Sequence, residues 1–178
     1  MSQPAPVTKI WIMRDYPKCS GCRLCEVACS LKHEGKIWPE ASMVRVFMQT
    51  PGVEVPHLCT QCSDYPCVNS CPTKALSVNQ TTGAVAVDNE KCKACGICIK
   101  ACPGKIPHLH PDRKRIVICD LCGGDPQCAK VCTAMGFNTL MIYPRVPDIT
   151  YNLYAKTPAD LTKNLAYKFY GEKAKELI

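Results

Sequence analysis

Apolar and polar residues alternate in two short segments on either side of a turn. The segments are residues 75–78 and 84–88, and turn-forming residues occupy positions 79–83. Val85 and Val87 are separated by one small residue, which is the spacing of a strand with one buried face. The pattern therefore predicts a β-hairpin in the middle of the chain.

Two further apolar runs are predicted to form strands. Residues 9–13 would open the fold, and residues 115–118 form a comparable short run later in the chain. Residues 143–156 contain two prolines and a mostly alternating pattern of apolar side chains, which predicts an extended arm.

The last part of the chain carries the signature of a helix start. Pro158 follows Thr157, and Asp160 lies three residues after Thr157, as in a capped first turn. One apolar face follows at steps of four residues, formed by Leu161, Leu165 and Phe169. The arm and this helix either wrap a partner protein or pack on the rest of the chain, and the pattern leaves both alternatives open.

Cysteine content changes the picture most, because 16 of the 178 residues are cysteine and residues 133–178 contain none. No secretion signal is recognised at the N-terminus, and no apolar run approaches the length of a membrane span. We therefore expect a cytoplasmic protein without direct membrane insertion. In a reducing compartment, many cysteines indicate metal or redox ligands and not disulfides.

The cysteines fall into four groups of four, which is an internal repeat. The groups are Cys19, Cys22, Cys25 and Cys29; Cys59, Cys62, Cys67 and Cys71; Cys92, Cys95, Cys98 and Cys102; and Cys119, Cys122, Cys128 and Cys132. Each group is predicted to run from a loop with the first three thiols into a short helix, whose first turn carries the fourth.

The spacing within the groups favours iron–sulfur clusters. The third group has the run C-x2-C-x2-C-x3-C-P, in which three thiols surround one cluster and the fourth serves another. The second group also ends in Cys-Pro but has a wider middle gap; the first lacks the proline, and the fourth has five residues in its middle gap. Four such groups without a spare cysteine form a strong collective signal.

Zinc is the main alternative, because paired CxxC units also form four-thiolate zinc sites. A third thiol at the next step has no role in such a closed site, so zinc is disfavoured, and disulfides are disfavoured by the expected compartment. The four histidines are predicted to be surface residues or to support ligands, because each site already has four thiols. No nucleophile with an adjacent base and no phosphate-binding or dinucleotide motif is present, so we expect no catalysis by this chain itself.

The formal charge of +7 does not predict nucleic-acid binding, because it treats every cysteine as neutral. Four oxidised clusters with thiolate ligands would each contribute a charge of about −2, which leaves a total near −1. Basic residues beside cysteines are expected to stabilise thiolates and raise cluster potentials. They are Lys18, Arg23, Lys91, Lys93, Lys100 and Lys105.

In order and spacing, the four groups resemble the four-cluster ferredoxin-like electron-transfer subunits that include the beta subunits of dimethyl sulfoxide reductase and formate dehydrogenase. The segments DYPKCSGCRLCEVACSLKHEG and WPEASMVRVF are most similar to the small iron–sulfur subunits of tungsten aldehyde oxidoreductases. The resemblance implies an α+β fold with two pseudo-symmetric ferredoxin-like lobes, each like a bacterial protein with two 4Fe-4S clusters. A C-terminal arm and helix would follow.

The resemblance also implies four 4Fe-4S clusters whose ligands cross between groups. Each set below takes three thiols from one group and one from another. The first set is Cys19, Cys22, Cys25 and Cys132; the second is Cys59, Cys62, Cys67 and Cys102; the third is Cys71, Cys92, Cys95 and Cys98; the fourth is Cys29, Cys119, Cys122 and Cys128. Many relatives have a longer middle gap in the last group, so docking to a membrane subunit through that loop is not expected to carry over.

By the same resemblance, residues 1–138 would be the four-cluster region, with an inner lobe at about 52–112 and an outer lobe from the first and last groups. Residues 139–178 would be the docking arm and helix. Electrons would pass between a large tungsten- or molybdenum-pterin subunit and a flavin- and NAD-binding subunit or ferredoxin. The alternative is a free-standing polyferredoxin, and end-to-end self-association of copies is a third hypothesis.

Overall fold

The computed structural model describes residues 9–145 and 153–178. Within them, short strands pair in antiparallel twos: β1 with β8, β2 with β3, β4 with β5, and β6 with β7. The strands are β1 Ile10–Arg14, β2 Arg45–Thr50, β3 Val53–His57, β4 Leu76–Val78, β5 Val85–Val87, β6 His108–Leu109, β7 Ile116–Val117 and β8 Leu140–Pro144. The helices are α1 Leu24–Glu34, α2 Pro66–Asn69, α3 Ile97–Ala101, α4 Gln127–Ala134 and α5 Pro158–Tyr170.

The predicted central hairpin is confirmed as β4 and β5, with Leu76 opposite Val87 and Val78 opposite Val85. Leu76 and Val85 are buried, as the alternation indicates. Asn79 forms the turn, because its side-chain oxygen accepts hydrogen bonds from the backbone N–H groups of the next residues, at 2.9 and 3.0 Å.

The predicted first strand is also confirmed, and β1 pairs along its whole length with β8. The start of the predicted arm is therefore the end of a sheet strand, in which Tyr143 lies opposite Trp11. The rest of the arm prediction falls partly on residues 146–152, which lie outside the described residues. The strand predicted at 115–118 is confirmed as β7, which pairs with β6.

The C-terminal helix packs on the protein's own β2–β3 hairpin, which favours the second of the two alternatives for this element. Leu161 and Leu165 of α5 are buried against Val53 and Val55 of β3. The predicted stripe is wrong at its third member, since 38 % of Phe169 is exposed. The apolar cluster instead contains residues that do not follow the four-residue spacing, among them Ala166 and Ala174.

Within the described residues, thiols form part of two of the three apolar cores. One core joins Cys25, Cys29, Cys119 and Cys128 to apolar residues that include Val46, Leu58 and Leu140. A second core joins Cys67 and Cys98 to Leu76, Val85 and Ile116. Helix α1 contacts α4, and α2 contacts α3, so the first and last cysteine groups meet, as do the two inner groups.

Candidate metal centres

All four cysteine groups form the same loop-to-helix unit, but the helix begins earlier than predicted. The third thiol of each group is the second residue of its helix: Cys25 in α1, Cys67 in α2, Cys98 in α3 and Cys128 in α4. The prediction that the fourth thiol lies in the first turn is therefore wrong. Left-handed residues directly before three of the helices turn the chain early, namely Arg23, Tyr65 and Gly96; Pro126, which does not have this geometry, precedes the fourth.

A second repeated feature is a left-handed residue directly before the second thiol of each group. These residues are Gly21, Gln61, Ala94 and Leu121, with φ angles of 70°, 55°, 55° and 57°. The bend lets the first two thiols of a group face the same space. Only Gly21 carries a sequence signal for this geometry, so the sequence pattern missed the other three.

Thiols of the first set line one enclosed, mostly apolar cavity. Cys19, Cys22, Cys25 and Cys132 share its wall with Val46, Phe137 and Leu140, among others. The backbone N–H of Leu140 lies 3.5 Å from Cys132 Sγ, within hydrogen-bonding distance for sulfur. Burial, with a smaller contribution from the neighbouring Glu26, raises the pKa of Cys25 to about 12.

A second enclosed cavity is lined by the four thiols of the second set, Cys59, Cys62, Cys67 and Cys102, with Val85, Ile106 and Ile118. Burial, with smaller contributions from other thiols of the set, raises the pKa of Cys59 and of Cys67 to about 12. The backbone N–H of Gln61 donates to Cys59 Sγ at 3.5 Å. Such a donor favours the thiolate form that binds metal.

Thiols of the fourth set also raise one another's pKa. Burial raises the pKa of Cys128 well above its usual value, with further contributions from Cys29 and Cys122. The backbone N–H of Met43 donates to Cys29 Sγ at 3.3 Å. His33 is the nearest histidine, with Nε2 lying 3.5 Å from Cys122 Sγ and 3.5 Å from the Asp120 carboxylate. His33, Asp120 and Cys122 thus form a compact polar group at this site.

The third set resembles the first in exposure, with one buried, one exposed and two half-buried thiols. Burial raises the pKa of Cys98 to about 11, and Cys71 and Cys92 contribute to the rise. Burial also acts to raise the pKa of Cys71, but its value is lowered overall by hydrogen bonds from the Thr73 hydroxyl and nearby backbone N–H groups. Cys95, like Cys22 of the first set, is exposed.

The donor chemistry fits iron–sulfur clusters. All sixteen cysteines have free thiols, so none is used in a disulfide. Buried thiols with raised pKa values become thiolates only when a cation compensates their charge, and the surrounding walls are apolar. Clusters at such sites would be held by soft sulfur ligands, shielded from water and contacted by backbone N–H donors.

Two of the basic residues that were predicted to support thiolates pair with nearby carboxylates. Lys18 pairs with Asp15 at 2.9 Å, and Lys91 pairs with Asp88 at 2.8 Å. Among the other histidines, His57 Nε2 contacts the Lys156 carbonyl at 3.1 Å. The His110 ring contacts Glu34, and His108 is a half-buried residue of β6. The sequence pattern missed two other cations, Arg14 and Arg145, which bind the backbone of a cysteine loop.

The fold and its thiol sets define an iron–sulfur protein, and comparison with known proteins identifies its family. The model of the 4Fe-4S dicluster domain matches residues 52–140. The chain is 54 % identical to the polyferredoxin-like subunit of aliphatic sulfonate oxidoreductase from Pyrococcus furiosus, over 92 % of this chain and 95 % of that protein. The protein belongs to this family of 4Fe-4S electron-transfer subunits.

Two bacterial relatives are more distant. Electron transport protein HydN of Escherichia coli is 32 % identical, over 68 % of this chain and 82 % of HydN. The iron–sulfur subunit of formate dehydrogenase-O, also from E. coli, is 29 % identical, over 66 % of this chain and 48 % of that subunit. The family consists of electron-transport and iron–sulfur subunits, so the chain is not a catalytic enzyme by itself. Within the described residues, no helix combines the length and apolarity of a membrane span.

Proposed function

We propose that this chain carries four 4Fe-4S clusters with crossed ligands and conducts electrons through an oxidoreductase complex. The ligands would be the four sets named above, each with three thiols from one group and one from another. Support comes from the two enclosed cavities, whose walls contain the first and second sets. The electrostatic effects among the thiols of the third and fourth sets support the same division.

The observation that carries the proposal is that thiols of different sets raise one another's pKa, which indicates the sets that are neighbours. Beyond burial, the pKa of Cys128 in the fourth set is raised by Cys25 of the first set. Burial likewise dominates the raised pKa of Cys119, and Cys59 of the second set contributes to it. Burial and thiols of its own set raise the pKa of Cys67, and Cys98 of the third set adds to this. The packing of Cys59 on the apolar core that contains Cys119 also supports the second and fourth sets as neighbours. From these contacts we propose the order first, fourth, second, third.

This order gives a row with two ends, and each end set contains one of the two exposed cysteines. Cys22 belongs to the first set and Cys95 to the third. The clusters would supply one-electron exchange. The chain's own residues would space the sites, exclude water with apolar walls and hold N–H donors on the sulfurs. The two exposed ends are suited to receive and deliver electrons.

The partners belong to the proposal as well. We assign one end of the row to a large tungsten- or molybdenum-pterin subunit, such as an aldehyde oxidoreductase, and the other to a flavin- and NAD-binding subunit or ferredoxin. The stretches at 15–35 and 38–47 support this choice through their resemblance to small subunits of tungsten enzymes. The relative from P. furiosus is itself described as a subunit of an oxidoreductase. A cytoplasmic location and the two-lobe architecture complete the proposal.

Serine substitutions test the crossed ligand sets. The chain purified without oxygen should contain about sixteen iron and sixteen sulfide, as four cubes require. Cys19→Ser and Cys132→Ser should alter the same cluster signal in electron paramagnetic resonance (EPR) spectra, because both remove a ligand of the first set. Cys29→Ser is the matched control and should alter a different signal, shared with Cys119→Ser. A signal shared by Cys19→Ser and Cys29→Ser would disprove the crossing, and a zinc-filled protein without iron would disprove the function.

A further inference from the structure

Two arginines reach from the β1–β8 sheet to the loop that holds Cys59 and Cys62. Arg14 is the last residue of β1, and Arg145 directly follows β8. The backbone N–H of Arg145 continues the ladder by donating to the Lys9 carbonyl at 2.8 Å. The two arginines therefore project from opposite ends of one sheet, and both bind the backbone of residues 58–62.

Arg14 is almost completely buried, with 3 % of its surface exposed. Its Nη2 donates to the carbonyls of Leu58 and Cys59, both at 2.9 Å. The guanidinium carbon lies 4.5 Å from the centre of the Tyr154 ring, a favourable cation–π distance. Nε and Nη1 of Arg14 are buried without a hydrogen-bond partner in the described structure. The interior thus contains a cation whose hydrogen-bonding capacity is only partly used.

Arg145 holds the other half of the same loop. Its Nη2 donates to the carbonyls of Gln61 and Cys62 at 2.6 and 3.0 Å, and its Nη1 donates to the Tyr65 hydroxyl at 2.6 Å. That hydroxyl in turn donates to the Gly83 carbonyl at 2.8 Å. The loop is therefore fixed on both sides of its left-handed residue by a guanidinium group.

Among the described residues, no carboxylate pairs with either guanidinium group. Within residues 9–145 and 153–178, neither guanidinium has a carboxylate oxygen within 4.0 Å. Burying a cation is unfavourable unless negative charge compensates it. Cys59 and Cys62 are two of the four residues whose carbonyls the arginines bind, and as thiolates they would supply that charge.

We infer that Arg14 and Arg145 are positioning residues that raise the reduction potential of the cluster bound by the second set. The inference rests on the proposed function, because it requires a cluster bound by Cys59, Cys62, Cys67 and Cys102. Reduction adds one negative charge to the site, and fixed positive charge in a region of low dielectric favours the reduced form. The hydrogen bonds from both arginines to the loop carbonyls also fix the geometry of the loop.

Redox titration monitored by EPR tests this inference on the full chain purified without oxygen. Arg14→Met and Arg145→Met remove the charge, and each should lower the reduction equilibrium constant of the same cluster about tenfold, or about 59 mV for one electron. That cluster must be the one whose signal Cys62→Ser alters. Arg14→Lys and Arg145→Lys keep the charge and should leave the potential close to that of the wild type.

Lys163→Met is the matched control, because it removes one positive charge from the exposed face of α5 and should shift no potential. Iron and sulfide content is measured first in every variant, so that loss of a cluster is distinguished from a shifted potential. Unchanged potentials in both iron-replete Met variants would overturn the inference, and so would equal shifts in the Lys and Met variants. If Arg14→Met does not retain iron, the Arg145 pair decides the question. Wild-type protein without the second cluster would instead refute the proposed function.

Discussion

At the scale of single residues, the most informative feature is the left-handed residue before the second thiol of every group. A residue with a Cβ atom is strained at positive φ, so three of the four positions keep an unfavourable conformation. The strain persists because the loop must turn both neighbouring thiols toward one site. Backbone strain at a repeated position of this kind is expected where geometry serves binding and not stability.

Ala94→Gly should relieve this strain. Glycine adopts a φ of 55° without a steric penalty, so we expect stabilisation of about 0.5–1 kcal/mol. Anaerobic denaturation, followed by the loss of cluster absorbance, measures the effect. Ala101→Gly is the matched control, because Ala101 lies in α3, where glycine should destabilise the protein by up to about 1 kcal/mol. Destabilisation by both substitutions would contradict the strain argument at position 94.

At the scale of elements, the C-terminal helix shows how a local sequence signature and packing combine. Thr157 caps α5, because its hydroxyl oxygen accepts a hydrogen bond from the Asp160 backbone N–H at 3.2 Å. The hydroxyl also donates to the Asp160 carboxylate at 2.6 Å. Packing on β3 then holds the helix on a core that contains no cysteine. The helix is thus part of the electron-transfer unit and stabilises it from outside the thiol region.

Loss of this cap should loosen α5. Thr157→Ala should reduce stability by about 1 kcal/mol, whereas Thr157→Ser keeps the oxygen and should have little effect. Amide hydrogen exchange of α5, measured by mass spectrometry, reports the change locally. Equal protection of the α5 amides in the Ala variant and the wild type would show that packing on β3 alone holds the first turn.

At the scale of the whole molecule, ion pairs join segments that are far apart in the sequence. Glu34, at the end of α1, forms ion pairs with Arg113 and Arg115, and the nitrogen–oxygen distance is 2.9 Å in each. The Glu34 side chain is 2 % exposed, so the first cysteine group is tied to the β6–β7 region through a buried carboxylate. The β1–β8 sheet likewise joins residues 10–14 to residues 140–144.

The proposed assembly gives a prediction at this scale. A tagged copy of the protein, isolated from its own cells without oxygen, should co-purify with a large subunit containing tungsten or molybdenum and with a flavin-containing subunit. Elemental analysis and native mass spectrometry measure both, and the same masses report whether several copies associate end to end. A tag-only strain is the control. Recovery of the protein alone, at all concentrations, would favour the free-standing polyferredoxin.

Local signals allowed a large part of the fold to be predicted. Alternation at 84–88 gave the central hairpin, and Thr157 with Pro158 gave the start of α5. Both depend on residues close together in the chain. The helix starts within the cysteine groups were misplaced, since they depend on left-handed residues such as Arg23 and Tyr65, which carry no glycine signal. Phe169 was misplaced because its burial depends on which residues of α5 face the β2–β3 hairpin, and the four-residue spacing alone does not give that.

The sequence by itself determined the chemistry, because the spacing of sixteen thiols restricts what they can bind, and ligand type follows from residue type. Only the tertiary structure decided that α1 meets α4, that α2 meets α3, and that Arg14 and Arg145 bind the Cys59–Cys62 loop. The physical reason is that electrostatic and packing interactions depend on distance in space. Chain folding sets that distance between residues more than eighty positions apart, such as Cys62 and Arg145.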